Sequence, residues 1–428
     1  MNFSEKLYTL GERYRNPSIS EHYKFLKNSE QWSLSELEVY QLNQLKKLIK
    51  HAYETVPYYK YLWDTVSLKP SDIQTLEDLT KVPVLSKKDL LTNTEALHST
   101  QSFKKTFLAV TSGTSGNSLK FQREESADSF NRASIKRGYS WYLVKPWEYN
   151  GYFWGFNFSK LAILKTRSLD ALQNRFRLFS YEKKNLVKFS KKLQRASYIH
   201  GYSSMIYQTA KMILEENLPK PTNLKMVKGT SEKIYESYKP IVKEAFGLPI
   251  ISEYGATESG IIAFECPHGN MHVNMEGVIV EKIDEKIVVT NLQLFKFPVI
   301  RYELGDYIAL AADDYQCKCG MKHAVIKEVT GRVGEAVKGY KNEYPSLYFY
   351  YIFKNLSSQH KLNLTYYIEQ RKKGELHFFL EESISKGEQD LLEKEIRKYF
   401  KEDVVYFIEN NISYSNRNGK TKSFKSYI

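Results

Sequence analysis

The chain has 428 residues, 42% of them hydrophobic and 26% charged, with a formal net charge of +14. This is a soluble globular composition too long for one ordinary core, so two or three domains are expected; with neither a sequence repeat nor a long Pro/Gly/Ser tract, a solenoid and a disordered arm are excluded. The positive charge favours acidic partners such as nucleotides or a phosphorylated cofactor, but the basic residues fall in short scattered groups, such as Lys183 with Lys184 and Arg371 with Lys372 and Lys373, so no nucleic-acid footprint is expected.

Residues 1–15 mix acidic and basic groups without a continuous apolar core, and no apolar run approaches a membrane span. A cytoplasmic protein without a transmembrane segment is the expectation. Over residues 33–59, Leu37, Tyr40, Leu45, Leu48, Ile49 and Ala52 recur at helical spacing until Val56-Pro57 interrupts the pattern. Residues 104–110 read as a short strand leading into a Gly-rich loop. Aromatic residues cluster over 139–158 and are read as core ahead of pocket. Helix-like and strand-like pieces then alternate to Ile262, as in an α/β body with a largely parallel sheet. Residues 278–282 and 286–291 read as strands of a more β-rich layer. The Gly-rich stretch 331–340 reads as a hinge. Beyond it, strands at 362–368, 376–380 and 404–408 and a helix at 388–400 make a small α+β unit. The expected division is a large α/β domain over 1–332 and a small C-terminal domain over 333–428.

Three short motifs carry candidate chemistry. The loop Thr111, Ser112, Gly113, Thr114, Ser115, Gly116 sets hydroxyls and backbone amides where phosphate oxygens could be gripped, although such runs are more often plain turns. In Tyr254-Gly255-Ala256-Thr257-Glu258 a ring can cover a purine, a hydroxyl can reach phosphate and a carboxylate can hold magnesium. In residues 301–306, Asp306 follows a turn and can accept from ribose hydroxyls. The three cysteines, Cys266, Cys317 and Cys319, are odd in number, which in a chain expected to be cytoplasmic argues against a disulfide framework. Together with a histidine, His272 or His268, they have the donor types of a closed, structural zinc site; buried free thiols are the alternative.

These motifs occur in one order with Gly331-Arg332 and a near-terminal Gly419-Lys420, and in that arrangement the chain resembles the adenylate-forming superfamily. Val56-Pro57-Tyr58-Tyr59, Pro83-Val84-Leu85-Ser86-Lys87 and His200-Gly201-Tyr202-Ser203-Ser204 look like its phenylacetate-CoA ligase-like branch, which includes CapK-type proteins of capsular polysaccharide clusters. The resemblance implies that residues 111–116 grip the ATP phosphates, Tyr254 stacks on adenine, and Thr257 and Glu258 contact phosphate and magnesium. It further implies that Asp306 and Arg332 hold the ribose and that Lys420 bridges the carboxylate and α-phosphate. Some members of the branch carry a structural zinc, and the spacing from Cys266 to His272 fits them better than that to His268. Ser118 and Leu119 depart from the usual continuation of the phosphate loop, with Lys120 one position later.

The expected activity is ATP-dependent activation of a small carboxylic acid, followed by acyl transfer to CoA or another acceptor. Two other readings stand beside it: an adenylyltransferase that leaves AMP on a cofactor, and a non-catalytic component of a polysaccharide-making complex.

Overall fold

The computed structural model describes residues 3–111, 119–153, 160–178, 183–332, 336–344, 346–412 and 424–428. The chain forms two compact units. One comprises Met1–Trp147, Ser252–Leu304 and Ile308–Glu328; the other comprises Glu148–Ile251, Gly305–Tyr307 and Val329–Ile428. Both are mixed α/β, with sheets packed by helices.

In the first unit the helix Leu34–Thr55 starts at Ser33, whose side chain accepts from Glu36 N while the Glu36 carboxylate reaches back, a reciprocal capping box. Leu37, Gln41, Leu45, Leu48, Ile49 and Ala52 form its buried stripe. The helical pattern divides in two at Pro57. Val56 is extended, as a residue before proline prefers, and Pro57 opens a new helix, Pro57–Thr65, where its missing N–H costs nothing. Tyr59 on that helix is buried; its hydroxyl donates to Pro298 O (2.9 Å) and accepts from Ile300 N (3.2 Å). The segment that leads to Arg301 is thereby tied to the N-terminal helices.

Arg301 has φ +47°. Its guanidinium donates to Thr80 O (2.9 Å) and Val82 O (2.5 Å) and forms an ion pair with Glu281 (2.9 Å). Leu85 N donates to Arg301 O (2.8 Å) and Glu303 N to Leu85 O (2.9 Å), so the Pro83–Lys87 motif pairs with the 301–306 motif. The strands Thr106–Val110 and Lys120–Glu124 form an antiparallel hairpin, and Val278–Ile283 with Lys286–Asn291 form another.

In the second unit four strands run parallel in the order Arg175–Arg177, Asn150–Phe153, Tyr198–Tyr202, Met226–Thr230. The helices Lys183–Leu193, Ser203–Glu215 and Tyr238–Phe246 bury Leu186, Phe189, Ile206, Ala210, Val242 and Phe246. From the expected aromatic cluster, Phe153 is a core residue of this unit at 0% exposure and Tyr139 one of the first unit at 4%; Trp154 and Phe158 lie outside the described residues.

The C-terminal sheet has the order Val405–Glu409, Glu375–Leu380, Tyr366–Lys372, Phe424–Ser426, antiparallel at its centre and parallel at both edges. It packs with the helices Leu347–His360 and Lys386–Phe400 around Phe349, Ile352, Phe378, Leu392, Ile396 and Phe400. The strand expected at 362–368 starts later, at Tyr366, because Lys361 in the left-handed region ends the preceding helix and residues 362–365 are spent turning back to the sheet.

Candidate functional site

Thr257 and Glu258 occupy the turn between the strands Ile250–Ala256 and Gly260–Glu265. Tyr254 and Gly255 precede it, at a register shift in the pairing. Neighbours in the first unit hold the turn at several points. Arg123 donates to Thr257 O, Asn291 Nδ2 donates to Ser259 O (3.1 Å), and Ile261 N donates to Asn131 Oδ1 (3.2 Å). The Glu258 carboxylate itself accepts from Tyr302 Oη (3.3 Å).

At the start of the expected phosphate loop, Thr111 N donates to Leu119 O (2.9 Å), and the Thr111 hydroxyl accepts from Leu119 N (2.9 Å). Thr111 thus closes the base of the connection between the two hairpin strands. Leu119 is buried and Lys120 exposed. Ser112, Gly113, Thr114, Ser115, Gly116 and Lys420 lie outside the described residues. Asp306 is buried within the strand Tyr302–Leu310, one residue after Gly305 at φ +83°. Arg332 ends the strand Val325–Arg332, and its side chain also lies outside the described residues.

A second cluster lies wholly in the first unit. The ligand atoms of Cys266, His272, Cys317 and Cys319 are all within 4.8 Å of one another. Cys266 and Cys317 sulfurs are 3.7 Å apart, and Cys319 Sγ is 3.2 Å from His272 Nε2. His268 is exposed and is not in the set. Two tight turns deliver the sulfurs: Gly269 N donates to Cys266 O (2.9 Å), and Gly320 N to Cys317 O (3.1 Å). The histidine comes from the short strand Met271–Val273, where it sits opposite Phe264 on one side and Val325 on the other.

Three sulfurs and one imidazole fit tetrahedral zinc in number and softness, and four protein donors leave no open position. The orientation of the imidazole fits as well. His272 Nδ1 donates to His323 O (3.2 Å), so the lone pair of Nε2 faces the sulfurs, the usual support for a metal-bound histidine. Burial keeps the ring neutral by moving its pKa down to about 4. Burial also raises the thiols of Cys266 and Cys319, the latter to about 12. At Cys317 burial is outweighed by hydrogen bonds from Cys319, Cys266 and Asn270, and the thiol is shifted down.

Behind this cluster is a buried polar network that sequence reasoning missed. Glu276, at 0% exposure, accepts from Arg137 Nη1 (2.7 Å), His323 Nε2 (2.9 Å) and the Ser29 hydroxyl. Arg137 also donates to Asn274 Oδ1 (2.7 Å). Burial alone would raise the Glu276 pKa, but Arg137 and His323 overturn that and hold it well below the usual carboxylate range. These partners are 47 to 247 residues apart in sequence, and no local pattern marks them. Tyr302 was open to discovery, since it sits inside the 301–306 motif and only its hydroxyl's partner was invisible.

No family model matches the chain. A stretch of 64 residues, 15% of this chain, is 42% identical to a phenylacetate-coenzyme A ligase of Aromatoleum evansii, and 61 residues are 43% identical to that of Escherichia coli strain K12. Each match spans only 14% of the relative's length. Likeness of fold extends much further. A 2-hydroxyisobutyryl-CoA ligase, solved in the postadenylation state with an acyl-AMP, superposes with a TM-score of 0.71 at 15% identity, over 94% of this chain and 91% of that one. An acyl acid amido synthetase, GH3.15, does so with a TM-score of 0.60 at 12% identity, over 91% and 88%. The chain therefore has the α/β fold of adenylate-forming ligases. Among the described residues, no helix is long and apolar enough to cross a membrane.

Proposed function

We propose that the chain is an adenylate-forming ligase. A carboxylate oxygen of the acid attacks the α-phosphorus of ATP and pyrophosphate leaves; the thiol of CoA then attacks the acyl carbonyl and AMP leaves. The observation that supports this most strongly is the fold shared over nearly its whole length with a ligase solved with an acyl-adenylate.

Within that reading, Thr111 to Gly116 bind the phosphates, Tyr254 stacks on the adenine with Gly255 beside it in the chain, and Asp306 and Arg332 hold the ribose. Thr257 contacts phosphate. Glu258 is a hard oxygen donor on a restrained turn, which suits magnesium, and the ion supplies charge neutralisation for the triphosphate. Lys420 is placed by the resemblance alone, as the cation that offsets charge building between the carboxylate and the α-phosphate. Cys266, His272, Cys317 and Cys319 would hold a structural zinc, a role for the two turns and the strand Met271–Val273 that is separate from the reaction. CoA is the favoured acceptor; a sugar amine or hydroxyl in surface-polysaccharide synthesis is the finer alternative.

The test is pyrophosphate release from ATP and magnesium across a panel of aryl, fatty, hydroxy and amino acids, with and without CoA. Release that depends on one acid class is expected, with a thioester formed when CoA is added. Lys420→Ala should lose release while still binding ATP; full activity in that variant would remove the assignment of Lys420. A wild type silent on every acid would count against the ligase reading.

A further inference from the structure

Glu258 sits at the tip of a short turn, and a glutamate there has rotamer freedom that must be lost before its carboxylate can serve as a ligand. The structure takes up that freedom with a group from a distant strand. Tyr302 is 1% exposed and packed in a cluster with Leu85, Phe297, Val299 and Ile300. Its backbone is pinned on both sides, by Leu85 N on Arg301 O (2.8 Å) and by Glu303 N on Leu85 O (2.9 Å). Arg301 is anchored in turn by its bonds to Thr80 O, Val82 O and Glu281. The phenol is therefore delivered by rigid surroundings, and it donates to Glu258 Oε1 at 3.3 Å. Arg123 fixes the backbone of the same turn through Thr257 O, and is itself paired with Asp128 at 3.4 Å.

We propose that Tyr302 is a positioning residue for Glu258: its buried hydroxyl holds Oε1 and so directs Oε2 of the same carboxylate toward magnesium-bound ATP. This rests on the ligase reading above. The residue touches neither substrate nor metal. It acts by setting the ligand's geometry before the ion arrives, as outer-shell partners of metal ligands do, and their removal lowers metal affinity about 10- to 100-fold.

The test uses the full chain with Tyr302→Phe, which removes one oxygen and keeps the ring. ATP binding is measured by calorimetry with magnesium and with excess chelator, and pyrophosphate release is measured against magnesium concentration. In wild type, ATP should bind more tightly with magnesium. In Tyr302→Phe that gain should shrink, and the magnesium concentration for half-maximal release should rise about 10-fold, with metal-free ATP binding unchanged. A purely structural role would weaken binding with and without metal alike, and that outcome overturns the proposal, as does a magnesium dependence equal to wild type. If Tyr302→Phe does not fold, Tyr302→Met provides the second variant. It fills much of the same buried volume without a hydroxyl and leaves Glu258 intact, and a magnesium requirement equal to wild type would again overturn the proposal. Failure of the ligase reading looks different: wild type itself would release no pyrophosphate and gain no ATP affinity from magnesium.

Discussion

Replacing Glu276 by Ala leaves the Arg137 guanidinium, at 4% side-chain exposure, charged and without its 2.7 Å partner. It also takes the acceptor from His323 Nε2 and from the Ser29 hydroxyl. Breaking one side of a buried ion pair costs about 3–5 kcal/mol, because a desolvated charge remains uncompensated. With a urea slope of about 3 kcal/mol/M, that lowers the unfolding midpoint by about 1 to 1.7 M. Tryptophan fluorescence is a suitable probe, since four of the five tryptophans (Trp32, Trp63, Trp141 and Trp147) lie in the unit that contains Glu276. The double variant Glu276→Met with Arg137→Met should cost less than Glu276→Ala, as no orphan charge is left. The sign of the pH effect follows from the depressed carboxyl. Its stabilisation is complete above the unfolded glutamate value of about 4.3 and is lost as pH falls below that toward the folded value. Wild type should therefore lose stability across this acid window more steeply than Glu276→Ala. An unchanged urea midpoint, or parallel acid profiles, would refute the reasoning.

Two further outcomes are expected. Cys317→Ser should lower bound zinc, measured by elemental analysis, and the unfolding midpoint together; a wild type that carries no zinc and is indifferent to chelators would dismiss the metal. Gly201→Ala should destabilise by more than about 1 kcal/mol. Gly201 has φ +141°, and a Cβ there would lie 2.0 Å from Phe153 O. Thermal unfolding is the measurement, and a wild-type midpoint would show that the backbone at 153 yields.

Much of the local structure was legible because it is written in neighbouring residues. The stripe Leu37 to Ala52 has the period of an amphipathic helix, Ser33 and Glu36 supply its cap, and Pro57 restarts it. The strand Lys286–Asn291 is the β-branched run Ile287–Thr290 with one residue added at either end. The helix Leu347–His360 was not legible. Its Tyr- and Phe-rich sequence favours a strand, and it is helical because Phe349, Ile352, Phe353 and Leu356 can then fill the core beside the C-terminal sheet.

The order of the motifs was likewise set by sequence alone, as were the chemical types at the two sites. Sequence could say that Cys317 and Cys319 share a turn and that Thr257 and Glu258 are adjacent. It favoured His272 over His268 through the resemblance alone, and it could not say that Tyr302 reaches Glu258 or that Glu276 joins Ser29, Arg137 and His323. Those meetings are decided by strand pairing and helix packing over separations of 44 to 247 residues. Short-range order follows from propensity and periodicity within a few residues, whereas a long-range contact forms only where the whole core buries well enough to offset the entropy of bringing distant segments together.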